Sequence, residues 1–172
     1  TGAIRELTRF VMRRALADAR EAARSKLNIG ISVNVSAADI GEPAFADEVL
    51  RMLGRTEVEP SKLTLEITES ALIRSPETAL TVLRALRDHG LGLSIDDYGT
   101  GQSTLSYVRS LPVNELKIDK TFVTQLRENE GDRIMVASTI DLAHKLGLTV
   151  VAEGVEDWDT VSLLTELGCD YA

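Results

Sequence analysis

Apolar and polar positions along this chain repeat with two periods that take turns. A period of two runs through Ile31, Val33 and Val35; Leu63, Leu65 and Ile67; Leu91, Leu93 and Ile95; Leu116 and Ile118; and Leu148, Val150 and Ala152. Side chains alternate across a strand, so this predicts strands over 31–36, 63–69, 91–97, 115–119 and 148–154. Helical spacing fills the intervals. Residues 1–26 read as an amphipathic helix with Ile4, Leu7, Val11 and Ala15 as its apolar stripe, and 44–54 as a second with Phe45, Val49, Leu50 and Leu53. Ser75-Pro76-Glu77 starts a helix that runs through Leu80, Leu83 and Leu86 to Gly90. A short helix is expected over 103–110. Another, from about 131, carries Val136, Ile140, Ala143 and Leu146 to Gly147. Asp157 caps a last helix with Val161, Leu164 and Leu167, and Cys169-Asp170-Tyr171-Ala172 opens a sixth strand.

Alternating strands and helices imply parallel pairing through right-handed helical crossovers. Parallel strands covered on both faces read as continuous apolar runs. These do not: the second parity holds Ser32, Asn34, Ser36; Thr64, Glu66, Thr68; Gly92, Ser94, Asp96; Glu115, Lys117; Thr149, Glu153, with Val151 as the exception. Helices outside and a polar lumen inside fit a barrel whose site lies at the C-terminal mouth. The expected fold is therefore α/β, of the TIM-type (β/α)8 barrel family, here an incomplete barrel of about five or six parallel strands. An unclosed sheet leaves edges that can pair, so either a second copy patches the opening or the chain is a fragment.

On this reading Asn34, Glu66, Asp96, Lys117 and Glu153 point inward, each near the end of its own strand. Asp97 has the opposite parity and reaches the same place only if the strand ends there and the chain turns. Carboxylates and an amide are hard oxygen donors that suit magnesium, manganese or calcium better than zinc. Other readings stand beside this one: a solvated strand-end pair for Asp96 and Asp97, and a lumen ion pair of Lys117 with Glu66 and Glu153. No histidine accompanies the inward hydroxyls, so they fill space rather than act as nucleophiles. His89 and His144 fall near helix C-termini, where a positive charge is favoured.

Composition narrows the partners. At 172 residues, 44% hydrophobic and 27% charged, the chain suits one globular domain. A formal charge of −8 argues against DNA or RNA as a general electrostatic partner. A single cysteine, Cys169, permits no internal disulfide and favours a reducing, cytoplasmic setting. No apolar run approaches the roughly 20 residues of a membrane span, so membrane contact by this segment is not expected, though the full-length protein could be anchored. The chain opens on Thr1 rather than Met and reads as part of something longer.

Asn34-Val35-Ser36, Glu66-Ile67-Thr68-Glu69, Asp96-Asp97-Tyr98-Gly99-Thr100-Gly101, Lys117-Ile118-Asp119 and Glu153-Gly154-Val155-Glu156 stand in the order and spacing of the EAL domain. The chain resembles that family over essentially its whole length. The resemblance implies a bacterial second-messenger phosphodiesterase that opens cyclic di-GMP to linear pGpG with two divalent cations, Mg2+ or Mn2+, for which Ca2+ is an inhibitor or a substitute. It implies Asn34, Glu66 and Asp96 as ligands of a first metal, with Asp96 bridging to a second held by Asp97. It implies Lys117 at the attacking water, its pKa lowered by the metals, and Glu153 as a further ligand or water-holder. Glu69 resembles the acid that fixes the loop containing Thr100 and Gly101, and Glu156 an outer partner. A homodimer and fusion to GGDEF or sensor domains are further implications.

Three departures accompany the resemblance. The Glu-Ala-Leu tripeptide, which in the family precedes the opening helix, is absent, and so is the Gln-Gly-Tyr type segment beyond Asp170. Gln102 and Tyr98 stand where an aromatic residue and Phe are usual. The chain is thus expected to be a partial EAL domain over 1–172, inactive by itself. A receptor that binds cyclic di-GMP without cleaving it, or a dimerisation module, are the alternatives to catalysis.

Overall fold

Five strands, β1 (Ile31–Val35), β2 (Leu63–Thr68), β3 (Gly92–Tyr98), β4 (Glu115–Ile118) and β5 (Thr149–Ala152), lie side by side in chain order, all parallel. The computed structural model describes residues 2–73, 76–99 and 105–172. Each crossover sets the next strand beside the last, which is how a barrel wall is wound. Among the described residues β1 and β5 do not pair with each other, so the wall is open: an incomplete α/β barrel. The expected sixth strand is a single bridge. Tyr171 pairs with Val151, donating its N–H to the Val150 carbonyl at 3.1 Å and accepting from Ala152 N at 2.9 Å.

The helices are α1 (Gly2–Arg24), α2 (Ala37–Ile40), α3 (Phe45–Leu53), α4 (Glu69–Ile73), α5 (Pro76–Asp88), α6 (Leu105–Ser110), α7 (Lys120–Thr124), α8 (Glu130–Lys145) and α9 (Trp158–Glu166). Among the described residues no helix is long and apolar enough to cross a membrane. The apolar parity of the strands forms the core: Val33, Leu65, Ile67, Leu93, Ile95, Leu116 and Val150 are buried against α5 residues Leu83 and Leu86 and the other helices. Each such side chain contributes about 1.5–3 kcal/mol on burial.

Several boundaries differ from the sequence reading. The helices α2, α4 and α7 were not expected, because four or five residues are too few to show a helical period. The second strand stops at Thr68, and Glu69 opens α4. The fourth stops at Ile118 because Asp119 caps α7, accepting from Thr121 N at 2.8 Å. The capping role expected of Ser75 lies outside the described residues, while Asp157 caps α9 as expected, accepting from Thr160 N.

The rotation of α1 is the largest correction. Ile4, Leu7 and Val11 are 40%, 54% and 41% exposed, and the helix instead buries Thr8, Met12, Leu16, Ala19 and Ala22. Polar partners account for this. Thr8 Oγ1 donates to buried Asp39 at 2.9 Å, while Arg5 and Arg9 pair with Glu42 and Glu48 at 2.9 and 2.5 Å. Satisfying that buried carboxylate and those two ion pairs turns the Ile4–Leu7–Val11 stripe off the core. The stripe lines a groove of about 870 Å3 beside β1, which also reaches Asn34 and Thr68.

Candidate metal centre

The site is built where β3 leaves the regular sheet. Ile95 pairs with Leu116, but Tyr98 pairs with Ile118, so β3 carries one residue more than β4. That residue is taken up by a bulge, and Asp97 has φ +55°, a left-handed backbone that Asp tolerates better than most residues. The bulge provides the turn that parity required. Carboxylate oxygens of Asp96, Asp97 and Glu153 all come within 4.8 Å of one another.

Lys117 enters from β4. Its Nζ lies 3.0 Å from Asp96 Oδ1, 3.2 Å from Glu66 Oε2 and 2.5 Å from Glu153 Oε1. The lysine is 8% exposed and Asp96 9%. Burial by itself pushes the Lys117 ammonium toward losing its proton. The close carboxylates of Glu153, Asp96 and Glu66 outweigh it and hold the pKa well above the ordinary lysine value. The shift is upward because, in the protein alone, only carboxylates surround the ammonium; the lowering expected from bound metals concerns the metal-loaded site. The lumen ion pair of Lys117 with Glu66 and Glu153 is present, and Asp96 belongs to it.

Asp97 behaves differently from Asp96. Burial, then the Asp96 charge, then a hydrogen bond with Asp119 raise its pKa. Asp119 moves down, held first by the Thr121 hydroxyl and also by Asp97. Asp119 is 9% exposed and caps α7. The Lys117-Ile118-Asp119 motif contains it without an assigned role. The signal was available, since an Asp directly before a helix with Thr121 two residues on is a capping pattern.

The other expected residues are placed as follows. Asn34 is the in-register partner of Glu66 on the neighbouring strand and faces the open lumen. Glu69 is 4% exposed, at the start of α4 and near enough to Tyr98 to raise the phenol pKa, which burial raises first. Glu156 is exposed and lines a surface pocket of about 190 Å3 with Val155 and Trp158, outside the described contacts of the cluster. Thr100, Gly101 and Gln102 lie outside the described residues.

The donor set fits a hard divalent cation. Asp96 Oδ1 is buried, and its neighbour among the described residues is the Lys117 charge, without a hydrogen bond. Ser94 Oγ, one step below on the same face of β3, is also buried and without a partner among the described residues. With Lys117 protonated, Glu66, Asp96 and Glu153 leave a formal charge of −2. An oxygen-only, negatively charged, half-buried cluster at a barrel mouth is what Mg2+ or Mn2+ prefers.

The chain matches the EAL domain family over residues 1–172. It is 36% identical over 169 residues to "Cyclic di-GMP phosphodiesterase PA2567" of Pseudomonas aeruginosa, covering 98% of this chain and 29% of that protein. It is 42% identical over 140 residues to "Bifunctional diguanylate cyclase/cyclic di-GMP phosphodiesterase MucR" of the same organism, covering 81% of this chain and 20% of that protein. The chain thus spans less than a third of these relatives. The solved structure "PaMucR Phosphodiesterase, c-di-GMP complex" superposes with a TM-score of 0.92 at 38% identity, covering 98% of this chain and 68% of that one.

Proposed function

The chain belongs to the EAL domain family, and from that premise we propose that it carries the metal-binding core of a phosphodiesterase that hydrolyses one bond of cyclic di-GMP to give linear pGpG. The observation that carries the reading is the convergence of Asp96, Asp97 and Glu153 oxygens within 4.8 Å beside an ammonium that touches three carboxylates. The printed names of the relatives, two of them cyclic di-GMP phosphodiesterases, support the substrate.

In this reading Asn34, Glu66, Asp96, Asp97 and Glu153 would hold two divalent cations, Mg2+ or Mn2+, with Ca2+ as an inhibitor or a substitute. When bound, such ions lower the pKa of water and neutralise charge developing at phosphorus. Asp97 would serve as a ligand, with Asp119 beside it to hold its carboxyl in place. Lys117, in contact with Glu66, Asp96 and Glu153, would offer a hydrogen bond and a positive charge to the attacking oxygen. Glu153 is the most open of the three carboxylates on Lys117, at 33% side-chain exposure against 12% for Glu66 and 13% for Asp96. That exposure favours it as the acceptor of a proton from an incoming water. Glu69, buried at the start of α4, and exposed Glu156 would act from outside the cluster.

The 172 residues form part of an EAL domain within a longer cytoplasmic signalling protein, carrying GGDEF or sensor domains and acting as a homodimer. The fusion is supported by the bifunctional name of the MucR relative, and the partial extent by the 68% coverage of the solved PaMucR chain. The test is incubation of the full-length protein with cyclic di-GMP and Mg2+ or Mn2+, with the products separated by chromatography. Linear pGpG is expected from the unaltered protein and none from Asp96→Asn. Tight binding of cyclic di-GMP without any pGpG refutes the enzyme and identifies a receptor.

A further inference from the structure

The two segments that bring carboxylates to the cluster are both braced by one short helix. Asp96 and Asp97 are followed by Gly99, and Glu153 by Gly154. Both glycines have left-handed backbones, with φ +100° and +71°. Both press against α7. A Cβ on Gly99 would lie 3.0 Å from Phe122 Cε2, and a Cβ on Gly154 would lie 2.6 Å from Lys120 Cβ. Phe122 and Lys120 are two residues apart on one five-residue helix. That helix is fixed at its start by Asp119, which accepts from Thr121 N and Oγ1 at 2.8 and 2.5 Å. It is fixed below by Val123, which is 1% exposed.

We infer that α7 is a strut that sets the distance between the Asp96–Asp97 pair and Glu153, with Phe122 and Lys120 as positioning residues for the metal centre. The inference rests on the proposed metal centre, but it concerns only this chain's own packing. β3 and β5 are not neighbours in the sheet, since β4 lies between them. The ladder fixes their spacing up to Ile118 and Ala152. Beyond those residues Lys117 reaches both Asp96 and Glu153, and Glu153 N donates to the Ile118 carbonyl at 3.1 Å, while α7 touches the glycine that follows each segment. Glycine lets each segment approach the helix to backbone contact. A side chain at either position would push its carboxylate outward by the excess of the overlap.

The test is Mn2+ binding by the full chain, measured by calorimetry with the melting temperature recorded in EDTA. Phe122→Ala removes the ring edge under Gly99, and Gly154→Ala forces a methyl group into Lys120. Each is expected to weaken Mn2+ binding by about tenfold, the size seen when a supporting shell around metal ligands is lost. Thr124→Ala at the far end of α7 and Leu164→Ala in the α9 core control for helix and core damage. Leu164→Ala is expected to lower the melting temperature while leaving Mn2+ affinity unchanged. If both Phe122→Ala and Gly154→Ala bind Mn2+ as the unaltered chain does, the strut is refuted and the metal centre stands. If Leu164→Ala weakens binding as much as they do, the effect is general destabilisation and the strut is again refuted. If the unaltered chain binds no Mn2+, the metal centre falls and the strut with it.

Discussion

Replacing Lys117 by methionine removes one charge from the centre of the cluster while keeping most of the side-chain volume. Three carboxylate oxygens lie 2.5–3.2 Å from the ammonium. At an effective dielectric constant of about 20, one unit pair at 3 Å is worth about 5.5 kcal/mol before desolvation. Desolvation cancels much of this, and removing one partner of a buried pair costs about 3–5 kcal/mol in practice. That is a large share of the roughly 5–15 kcal/mol by which a domain is stable. The assay is urea unfolding of both proteins at pH 7, in EDTA and in saturating Mn2+. In EDTA, Lys117→Met should lose about 3–5 kcal/mol, because Asp96 and Glu66 stay half-buried with no counter-charge. Mn2+ should restore more stability to the variant than to the unaltered chain, since the cation neutralises the same oxygens. The sign for pH follows from the raised pKa. The lysine's stabilisation is fully present below its unfolded value of about 10.4 and fades only as the pH rises through the higher folded value. The difference between the two proteins should therefore be flat from pH 7 to 9. A variant within about 0.5 kcal/mol of the unaltered chain in EDTA, the range of an ordinary surface substitution, would refute the claim that this ion cluster holds the barrel mouth together.

Two pH predictions accompany it. Asp97 is held above the ordinary carboxylate range by burial, the Asp96 charge and Asp119. A cation must displace its proton, so Mn2+ affinity should rise with pH beyond the ordinary Asp value of about 3.9 and level off only above Asp97's higher one. Affinity that is flat from pH 4 upward in calorimetry would exclude Asp97 as a ligand. Asp170 is held below its ordinary value, first by His144 Nε2 at 2.9 Å and then by Val150 N at 2.8 Å. Its stabilisation is present above the unfolded value and lost as the pH falls through the folded one. Asp170→Asn keeps an acceptor for Val150 but loses the charge, so it should lower the melting temperature at pH 6 and leave it unchanged near pH 2. An equal loss at both pH values would contradict this.

What could be read without the structure followed from local periodicity. The five strands, their apolar parity and the inward set Glu66, Asp96, Lys117 and Glu153 all come from a period of two, which each strand displays by itself. The short helices were missed because four or five residues contain barely one turn. The rotation of α1 was misread because hydrophobicity marks a stripe without saying which stripe is used. Buried Asp39 and the pairs with Glu42 and Glu48 select the neighbouring face, and those partners lie 31 to 39 residues away in the chain.

The two adjacent acids divide the same way. By itself the sequence determined that Asp96 shares a face with Glu66 and Lys117, because alternation is a property of the strand. It also determined, through five motifs in register, the family to which the chain belongs. Only the tertiary structure decided that Asp97 joins that face. This takes a bulge against β4, a left-handed residue, and a partner in Asp119 at the head of a helix too short to foresee. Alternation is fixed by one strand's own dihedral angles, whereas a bulge exists only in the register between two.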